Sequence, residues 1–291
     1  MRWTPGGRSS NLEDRRGESV GGGGMGFGRA GMGIGGTLVL LVLSLIFGRD
    51  FIGGSDAGGA GYPQQTATGE SAPVQSSAEE ETLIQFNSFV LDDVQKTWAT
   101  LLPQQTNAQY HDAKLDIYRN AISTGCGTAP SSVGPFYCPA DEKVYIDLSF
   151  YDELRSRFGA PGDFAEAYVL AHELGHHVQH ILGTDARVRQ LQESRPESEN
   201  ALSVRMELQA DCYAGVWANS TSQRRLLQEG DVDEALGAAS AVGDDRLQQQ
   251  ARGRINPDTF THGTAAQRAN WFKRGFTSGD IRNCDTFAGA I

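Results

Sequence analysis

The sequence predicts an α+β domain that is mainly helical, contains a small β-sheet and is preceded by one transmembrane helix. Apolar residues recur at helical spacing over most of residues 149–291, whereas strand patterns occur only between residues 113 and 148. One long uncharged apolar stretch lies near the N-terminus. Because 19 of the 36 glycines fall within the first 61 residues, we expect the folded domain to be much shorter than the 291-residue chain.

The N-terminal part divides by composition. Residues 1–29 are rich in Gly and Arg and lack an apolar period, so we expect a disordered tail. Residues 30–48 carry no charge and as a helix would span about 28 Å, which matches a bilayer core. No small-x-small cleavage site follows, so we expect an uncleaved transmembrane anchor over 30–52. A flexible linker over 53–80 and a folded domain over 81–291 complete the chain.

Charge predicts the orientation of this anchor. Five arginines precede the apolar stretch and only Arg49 follows it closely, so the positive-inside rule places the N-terminus in the cytoplasm. The domain is then expected on the exported side, periplasmic or extracellular, of a single-pass cell-membrane protein. From Arg49 onward, 20 basic residues face 33 acidic ones, a net charge of −13. That balance argues against nucleic acid or an anionic membrane surface as a partner of the domain.

The four cysteines all lie on the expected exported side, where disulfides form. Three pairings are possible, and we favour Cys126 with Cys138 and Cys212 with Cys284. The first pair closes a short Gly/Pro/Ser loop, and the second fastens the C-terminal tail to a predicted helix. Metal ligation by cysteine is the competing interpretation, which the absence of a C-x-x-C spacing disfavours.

The domain is expected to begin with a helix that starts near Glu81 and ends at the break before Pro103. Two strand patterns follow. Thr264 and Gln267 form a capping-box pattern at the start of the last helix. The strands are expected over Ala113 to Ser123 and Lys143 to Leu148, and the later helices over Tyr151 to Phe158, Pro161 to Leu182, Asn200 to Asn219, Asp231 to Val242 and Thr264 to Phe276.

The five residues 172–176, His-Glu-Leu-Gly-His, point to chemistry. At 3.6 residues per turn, His172 and His176 lie on one helical face, so both imidazoles can bind one metal ion. Glu173 is turned about 100° from them and flanks the open side of that ion. This geometry is typical of a catalytic zinc with a carboxylate as general base.

A catalytic zinc takes three protein ligands and a water, so one ligand remains to be found. Glu207 follows His176 by 31 residues on a predicted helix, and Asp211 lies one turn later on the same face. Their helix is otherwise strongly apolar, which is unusual for two solvated carboxylates. We therefore expect Glu207 to be the third zinc ligand and Asp211 to accept the Nδ1–H of a ligand histidine.

Other histidines fit the metal less well. His180 lies a further turn along the helix, about 6 Å from the ligand pair, and His177 points to another side. For both we favour solvent-facing or hydrogen-bonded structural roles. The longer pattern H-E-x-x-H-x-x-G-x-x-H needs Gly and His at positions 179 and 182, where the chain has Gln179 and Leu182. The metzincin interpretation therefore fails.

The chain resembles the gluzincin type of zinc peptidase and, more closely, the bacterial family of neutral zinc metallopeptidases. The resemblance covers roughly residues 82–291 and the single N-terminal anchor. It implies a zincin-like peptidase fold with zinc ligands at His172, His176 and Glu207. The segments that carry it are Gly134 to Pro139, His172 to His177, Glu207 to Tyr213, His262-Gly263-Thr264 and Gln267-Arg268.

With one Zn²⁺ bound, Glu173 is expected to take a proton from the attacking water and to pass it to the leaving amine. A further donor must stabilise the oxyanion. His262 is our candidate, because it opens a Gly-containing turn before a capped helix. Tyr213 or Tyr168 could serve instead, and His262 could simply cap the helix. Strand 143–148 offers an edge for an extended peptide, or is a core strand.

The expected function is therefore hydrolysis of peptide bonds in exported or envelope proteins, by a zinc-dependent peptidase anchored in the membrane. The alternative is a zinc-stabilised, non-catalytic binding or assembly factor of the cell envelope. Glu173 favours the enzyme, because a base is needed for chemistry and not for holding the metal. Metal-assisted hydrolysis of a non-peptide substrate is a third possibility.

Overall fold

A computed structural model describes residues 1–18 and 74–291. The predicted transmembrane anchor over 30–52 and most of the predicted linker over 53–80 lie outside the described residues. Within the two described ranges, no helix combines the length and apolar character needed to cross a bilayer.

The described part of the chain is mainly helical with a small sheet, as predicted. The strands are β1 (Leu12–Asp14), β2 (Lys114–Tyr118), β3 (Ala121–Thr124), β4 (Gly127–Pro130), β5 (Phe136–Cys138) and β6 (Lys143–Asp147). The helices are α1 (Ala78–Gln105), α2 (Ser149–Ser156), α3 (Asp163–Ile181), α4 (Thr184–Ser194), α5 (Glu199–Gln223), α6 (Asp231–Ala241), α7 (Asp244–Arg252) and α8 (Ala265–Ser278).

The main sheet has the order β1–β2–β6–β5, with β1, β2 and β6 parallel and β5 antiparallel to β6. Strand β6 is central. Val144 and Ile146 point into the main core and Tyr145 into a smaller apolar cluster on the other face. Of the two interpretations of strand 143–148, the structure shows the core strand and not the peptide-binding edge, because neighbours occupy both edges of β6 and apolar groups cover both faces.

The segment 1–18 is part of the fold, so the expected disorder of residues 1–29 is wrong for these residues. Strand β1 pairs with β2 along three residues. Trp3 packs edge-on against Phe86 at 5.3 Å, and Arg16 forms ion pairs with Asp14 and Glu80. The segment has no apolar period of its own, because its order comes from pairing with residues more than 60 positions away.

Helix α1 starts at Ala78, three residues before the expected domain boundary. Ser77 caps it by accepting a hydrogen bond from the Glu80 amide at 3.1 Å, and acidic residues in the first turn suit the helix dipole. Pro103 lies in the last turn, so the helix runs on to Gln105 before it ends. The expected strand over 113–123 is in fact two strands, separated at Asn120, whose φ of 66° turns the backbone.

Helices α5 and α8 approach so closely that glycine is required at their contact. A Cβ at Gly275 would lie 1.9 Å from the Cys212 carbonyl oxygen, and one at Gly215 would lie 2.1 Å from the Phe272 carbonyl oxygen. The Cys212–Cys284 disulfide joins the C-terminal tail to α5 at the same place. Both favoured disulfide pairings are confirmed, since Cys126 is bonded to Cys138.

The expected helices after residue 149 are all present, and the capping box of α8 is formed by Thr264 and Gln267 as predicted. Helices α4 and α7 were not predicted. In α4 the buried side chains are Val188 and Gln192, and Leu247 is the one aliphatic residue of α7 other than alanine. Both helices are too polar to show an apolar period, and packing against their neighbours determines them.

Candidate metal centre

The site begins with the close contact between α3, which carries residues 172–176, and α5. A Cβ at Gly175 would lie 3.1 Å from the Ala210 carbonyl oxygen and 3.2 Å from its Cα. Glycine inside the motif therefore lets the backbone of α5 approach α3. Glu207 and Asp211 lie on either side of this contact, so both carboxylates reach the histidine face of α3.

The three predicted ligands converge. His172 Nε2 lies 3.1 Å from Glu207 Oε2, and His176 Nε2 lies 3.5 Å from Glu207 Oε1. In a tetrahedral zinc site with bonds of about 2.1 Å, ligand atoms are about 3.4 Å apart. Two imidazole nitrogens and one carboxylate oxygen are also the donor set of a catalytic zinc. These three residues therefore fit a zinc ion.

Each ligand histidine is oriented through its other ring nitrogen. His172 Nδ1 donates to Asp211 Oδ1 at 2.9 Å, as predicted, and His176 Nδ1 donates to Gln179 Oε1 at 2.8 Å. Gln179 is fixed in turn, because its amide donates to the Met206 carbonyl oxygen at 2.8 Å. With both Nδ1 atoms engaged, both Nε2 atoms are left to face Glu207.

Asp211 is held by two further groups, and sequence reasoning missed one of them. The Arg268 guanidinium binds both of its oxygens, with Nε at 2.8 Å and Nη2 at 2.9 Å, and the Tyr168 hydroxyl donates to Oδ1 at 2.5 Å. Arg268 is 3% exposed on α8, beside apolar Trp271 and Phe272. A cation on such a face needs a buried anion, and that signal could have pointed to Asp211.

The charges in this network keep the carboxylates of Asp211 and Glu207 ionised. Burial raises the pKa of Asp211, but Arg268 and His172 outweigh it and lower the pKa to about 2. Burial would lower the pKa of His172, yet Asp211 and Glu207 raise that pKa to about 10. The pKa of Glu207 lies well below its usual value, against the effect of burial, because His176, His262 and His172 surround it. The negative charge around the two imidazoles attracts a cation.

His262 reaches the same cleft and is held by Asp244, which sequence reasoning missed. Asp244 Oδ2 accepts hydrogen bonds from the backbone amides of His262 and its two neighbours, and Oδ1 lies 3.3 Å from His262 Nδ1. Burial opposes protonation, but Glu207 and Asp244 raise the pKa of His262. Thr264, and not His262, caps α8. The His262 imidazole is therefore held through Nδ1 and lines the cleft.

The other candidate side chains lie elsewhere. Tyr213 is buried against Trp98, with the ring centres 5.6 Å apart, and faces α1. His177 is fully buried; it donates to the His111 carbonyl oxygen at 2.8 Å and accepts from the Tyr137 hydroxyl at 2.9 Å. His180 pairs with Asp185. Of the two expected roles, solvent-facing or hydrogen-bonded, the structure shows the hydrogen-bonded one for both histidines.

A cleft of about 370 Å³ opens above the three ligands. His172, Glu173, His176, Glu207 and His262 all contribute to its wall. Much of the remaining wall is apolar. It includes Val133, Phe136, Phe150, Phe158, Val169 and Val188.

The chain matches the family model described as "Putative neutral zinc metallopeptidase" over residues 1–287. The chain belongs to this family. It is 50% identical to the uncharacterized protein YpfJ of Escherichia coli K12 over 296 residues, which cover 100% of both chains. It is 47% identical to the uncharacterized protein Mb2605 of Mycobacterium bovis over 210 residues, 68% of this chain and 69% of that one.

No solved structure matches the chain significantly. Family membership agrees with the resemblance seen in the sequence and implies zinc, for which residues 172, 176 and 207 form a fitting site. The family match also includes residues 1–18, which agrees with their place in the main sheet.

Proposed function

We propose that this protein is a zinc-dependent peptidase that hydrolyses peptide bonds of exported or envelope proteins. The observation that carries the proposal is the convergence of His172, His176 and Glu207 in the wall of a cleft that Glu173 also lines. Three metal ligands by themselves would also be compatible with a zinc ion that only stabilises the fold. An additional carboxylate beside an open cleft is what hydrolysis requires.

The three converging side chains would hold the zinc. When bound there, zinc supplies Lewis acidity to a water molecule and to the carbonyl of the scissile bond. Glu173 follows His172 on α3 and carries out the proton transfers: it takes a proton from the attacking water and gives it to the leaving amine. Asp211 and Gln179 keep the two imidazoles in the tautomer that leaves Nε2 for the metal.

We assign stabilisation of the oxyanion to His262. Its Nδ1 side is anchored by Asp244, so Nε2 is left for the substrate, and Asp244 is a positioning residue for it. The raised pKa of His262 favours the protonated ring, which donates a stronger hydrogen bond to a negative oxygen. Tyr168 is unsuited to this task because its hydroxyl donates to Asp211.

The substrate we propose is an extended peptide with apolar side chains. Strand β5 is at one edge of the main sheet, and its Phe136 and Tyr137 line the cleft. An extended peptide can add to such an edge by main-chain hydrogen bonds. The apolar wall favours burial of aliphatic or aromatic side chains beside the scissile bond.

We further propose that the domain acts on the exported side, which its two disulfides support. Residues 1–18 are then exported too, because β1 is hydrogen-bonded to β2 and a bilayer cannot separate paired strands. This departs from the expected cytoplasmic N-terminus. The membrane anchor over 30–52 stays a prediction. A single crossing there would place residues 1–18 and the domain on opposite sides of the bilayer, which the pairing of β1 with β2 does not allow.

The function is tested with the full chain carrying Glu173→Gln. Zinc per chain is measured by mass spectrometry of the metal, and cleavage with a library of proteome-derived peptides. We expect unchanged zinc and a loss of cleavage of roughly 100-fold or more. Glu166→Gln, the same change about two turns earlier on α3, is the control and should keep activity.

Two outcomes would contradict this proposal. Equal cleavage by Glu173→Gln would remove Glu173 as the base. Zinc-loaded wild-type protein that cleaves no peptide, while still binding peptides, would favour the non-catalytic binding factor.

The location is tested with cysteines placed at two exposed positions, Thr4 and Glu229. The described chain has no free thiol, so a membrane-impermeant maleimide reports the introduced ones. We expect Thr4→Cys and Glu229→Cys to label alike in intact cells. Labelling of only one of them would place the two segments on opposite sides of a membrane.

A further inference from the structure

We infer that the Cys126–Cys138 disulfide is a redox modification site, which a dithiol reductant opens and whose state controls one wall of the cleft. The two cysteines are 12 positions apart. The segment between them includes residues 131–137, and all seven of these residues line the cleft. Cys138 is also the last residue of β5, the edge strand of the main sheet. One covalent bond thus closes the loop that forms this wall.

The two disulfides of the chain differ in their access to solvent. Cys126 is exposed in the turn between β3 and β4, whereas Cys138 is fully buried. Cys212 and Cys284 are both fully buried. Because a thiolate must reach one sulfur of a disulfide to cleave it, the first bond offers an accessible cysteine and the second does not. A reductant should therefore open Cys126–Cys138 and leave Cys212–Cys284 closed.

The reaction is thiol–disulfide exchange with a dithiol donor of the thioredoxin type. The donor thiolate bonds to Cys126 Sγ, the bond to Cys138 breaks, and Cys138 leaves as a thiolate that takes up a proton. The second thiol of the donor then attacks the mixed disulfide and releases Cys126. Two electrons and two protons pass to the protein, and the donor becomes a disulfide. The free Cys138 thiol suits its apolar surroundings, because an uncharged cysteine behaves as a small apolar residue.

The apolar cluster beneath this wall is small. Among the described residues it has five buried members, against the much larger main core. A cluster of this size gains little from burial, so a covalent link contributes a large share of its order. Opening the disulfide should let residues 131–137 leave the cluster more often. The buried members are Tyr118, Ile122, Ala129, Cys138 and Tyr145, and Val133 and Phe136 of the wall pack against them.

The metal centre belongs to a different part of the core. Helices α3 and α5, which carry the three candidate ligands, pack in the main core, for example through Leu174 and Leu208. Cys212 and Cys284 belong to the main core too, so the inaccessible disulfide is the one that fixes α5. Reduction of the exposed disulfide should therefore loosen the wall while the zinc ligands keep their places.

The first experiment treats the zinc-loaded full-length chain with reduced thioredoxin, which supplies a dithiol without adding a small chelating thiol. Free thiols are alkylated at intervals and located by peptide mass mapping. We expect the thiols of Cys126 and Cys138 to appear at least about tenfold faster than those of Cys212 and Cys284. Equal rates for the two bonds, or no reduction of either, would overturn the inference.

A second experiment measures the wall itself in the wild type and in the double variant Cys126→Ser/Cys138→Ser. Hydrogen exchange is followed in peptides that cover residues 131–137 and 172–176. Exchange in 131–137 should accelerate by about tenfold or more, whereas exchange in 172–176 and the zinc content per chain should not change. Unchanged exchange in 131–137 would overturn the inference. Faster exchange in both segments would overturn it too, because the bond would then support the whole domain.

The same measurement on thioredoxin-reduced wild-type protein covers the case in which the variant does not fold. Reoxidation of these molecules is the control and should restore the slow exchange of residues 131–137. Exchange that stays fast after the disulfide has formed again would show general damage, and would overturn control of the wall by this bond.

The effect on cleavage rests on the proposed peptidase function. Opening the disulfide should raise KM for peptides by about tenfold with little change in kcat, because the wall binds substrate and the zinc ligands stay in place. An unchanged KM would overturn the control of substrate binding. Absence of cleavage by the oxidised wild type would instead contradict the proposed function, since reduction rates, hydrogen exchange and zinc content do not depend on it.

Discussion

Helix α3 contributes to two groups of three potential metal ligands, which differ in composition and in surroundings. His172 and His176 meet Glu207 beside an open cleft, whereas Asp163 meets Asp231 and Glu234 beside the chain's own N-terminus. Imidazole nitrogens and one carboxylate suit a transition metal such as zinc. Carboxylates alone are hard ligands, and here the Met1 ammonium compensates their charge.

Proximity of acidic and histidine side chains therefore does not by itself define a metal site. In the histidine group, Asp211 and Gln179 orient both rings through Nδ1 and leave both Nε2 atoms to converge. In the acidic group, the oxygens are engaged in capping α3 and in binding the ammonium. The first group is a candidate metal centre, because polar neighbours orient its ligands. In the second group the carboxylates are already used to hold the starts of α3 and α6 together, so its role is structural.

The two groups should differ most in what a substitution does to the zinc content of the protein. Glu207→Ala should lower zinc affinity by more than about 100-fold, because it removes a direct ligand, whereas Glu234→Ala should retain one zinc per chain. Zinc is measured in purified full-length protein against a competing chelator. Equal zinc loss in both variants would show that the effect is general unfolding, and retention by Glu207→Ala would require another third ligand.

A smaller effect is expected from Asp211, which does not bind the metal but orients the ligand His172. Asp211→Asn should lower zinc affinity or activity by roughly 10- to 100-fold, because it removes the charge that orients His172. It also leaves the buried Arg268 without its anion, so the protein should be less stable as well. Asp233→Asn serves as the matched exposed control. An Asp211→Asn variant with unchanged zinc affinity would limit Asp211 to a structural role.

Low pH should lower the free energy of unfolding through protonation of His177, in addition to any loss of metal. Burial lowers the pKa of His177 to about 4, so the folded state binds this proton less readily than the unfolded chain, whose histidines titrate near pH 6.5. The stabilisation is present above about pH 6.5 and is lost as the pH falls towards 4, by about 3 kcal/mol in total. Urea unfolding at several pH values should show this slope in the wild type.

The control for that slope is a pair of variants on the same helix. His177→Gln should flatten it, because the amide does not titrate, whereas His180→Gln, at a partly exposed position, should leave it in place. The same slope in all three proteins would mean that other groups cause the acid sensitivity.

The smallest effect compares the two partners of the Met1 ammonium. The Asp163 side chain is 40% exposed and that of Asp231 is 4% exposed, although Asp163 is the closer of the two. Exposed ion pairs contribute little, so Asp163→Asn should cost less than about 1 kcal/mol in the free energy of unfolding. Asp231→Asn should cost clearly more. The reverse order, measured by chemical denaturation, would show that distance outweighs burial at this joint.

Periodic patterns and a local motif accounted for much of the molecule. Apolar spacing predicted α1, α3, α5, α6 and α8. The H-E-x-x-H spacing alone placed two imidazoles on one face of α3. Glu207, the expected third ligand, lies beside both histidines, and both expected disulfides are formed. These features depend on residue type and short-range spacing, and both can be read directly from the sequence.

Tertiary structure decided the rest, because the interactions involved join distant residues that carry no local pattern. Residues 1–18 are ordered through contacts with distant residues, such as those of β2 and α1. Arg268 becomes part of the site because two glycines let α8 approach α5. Strand β6 proved to be a core strand, and β5 is the edge strand beside the cleft. The sequence by itself thus determined which atoms can hold a metal, and packing decided which charges surround them and which surface a substrate can reach.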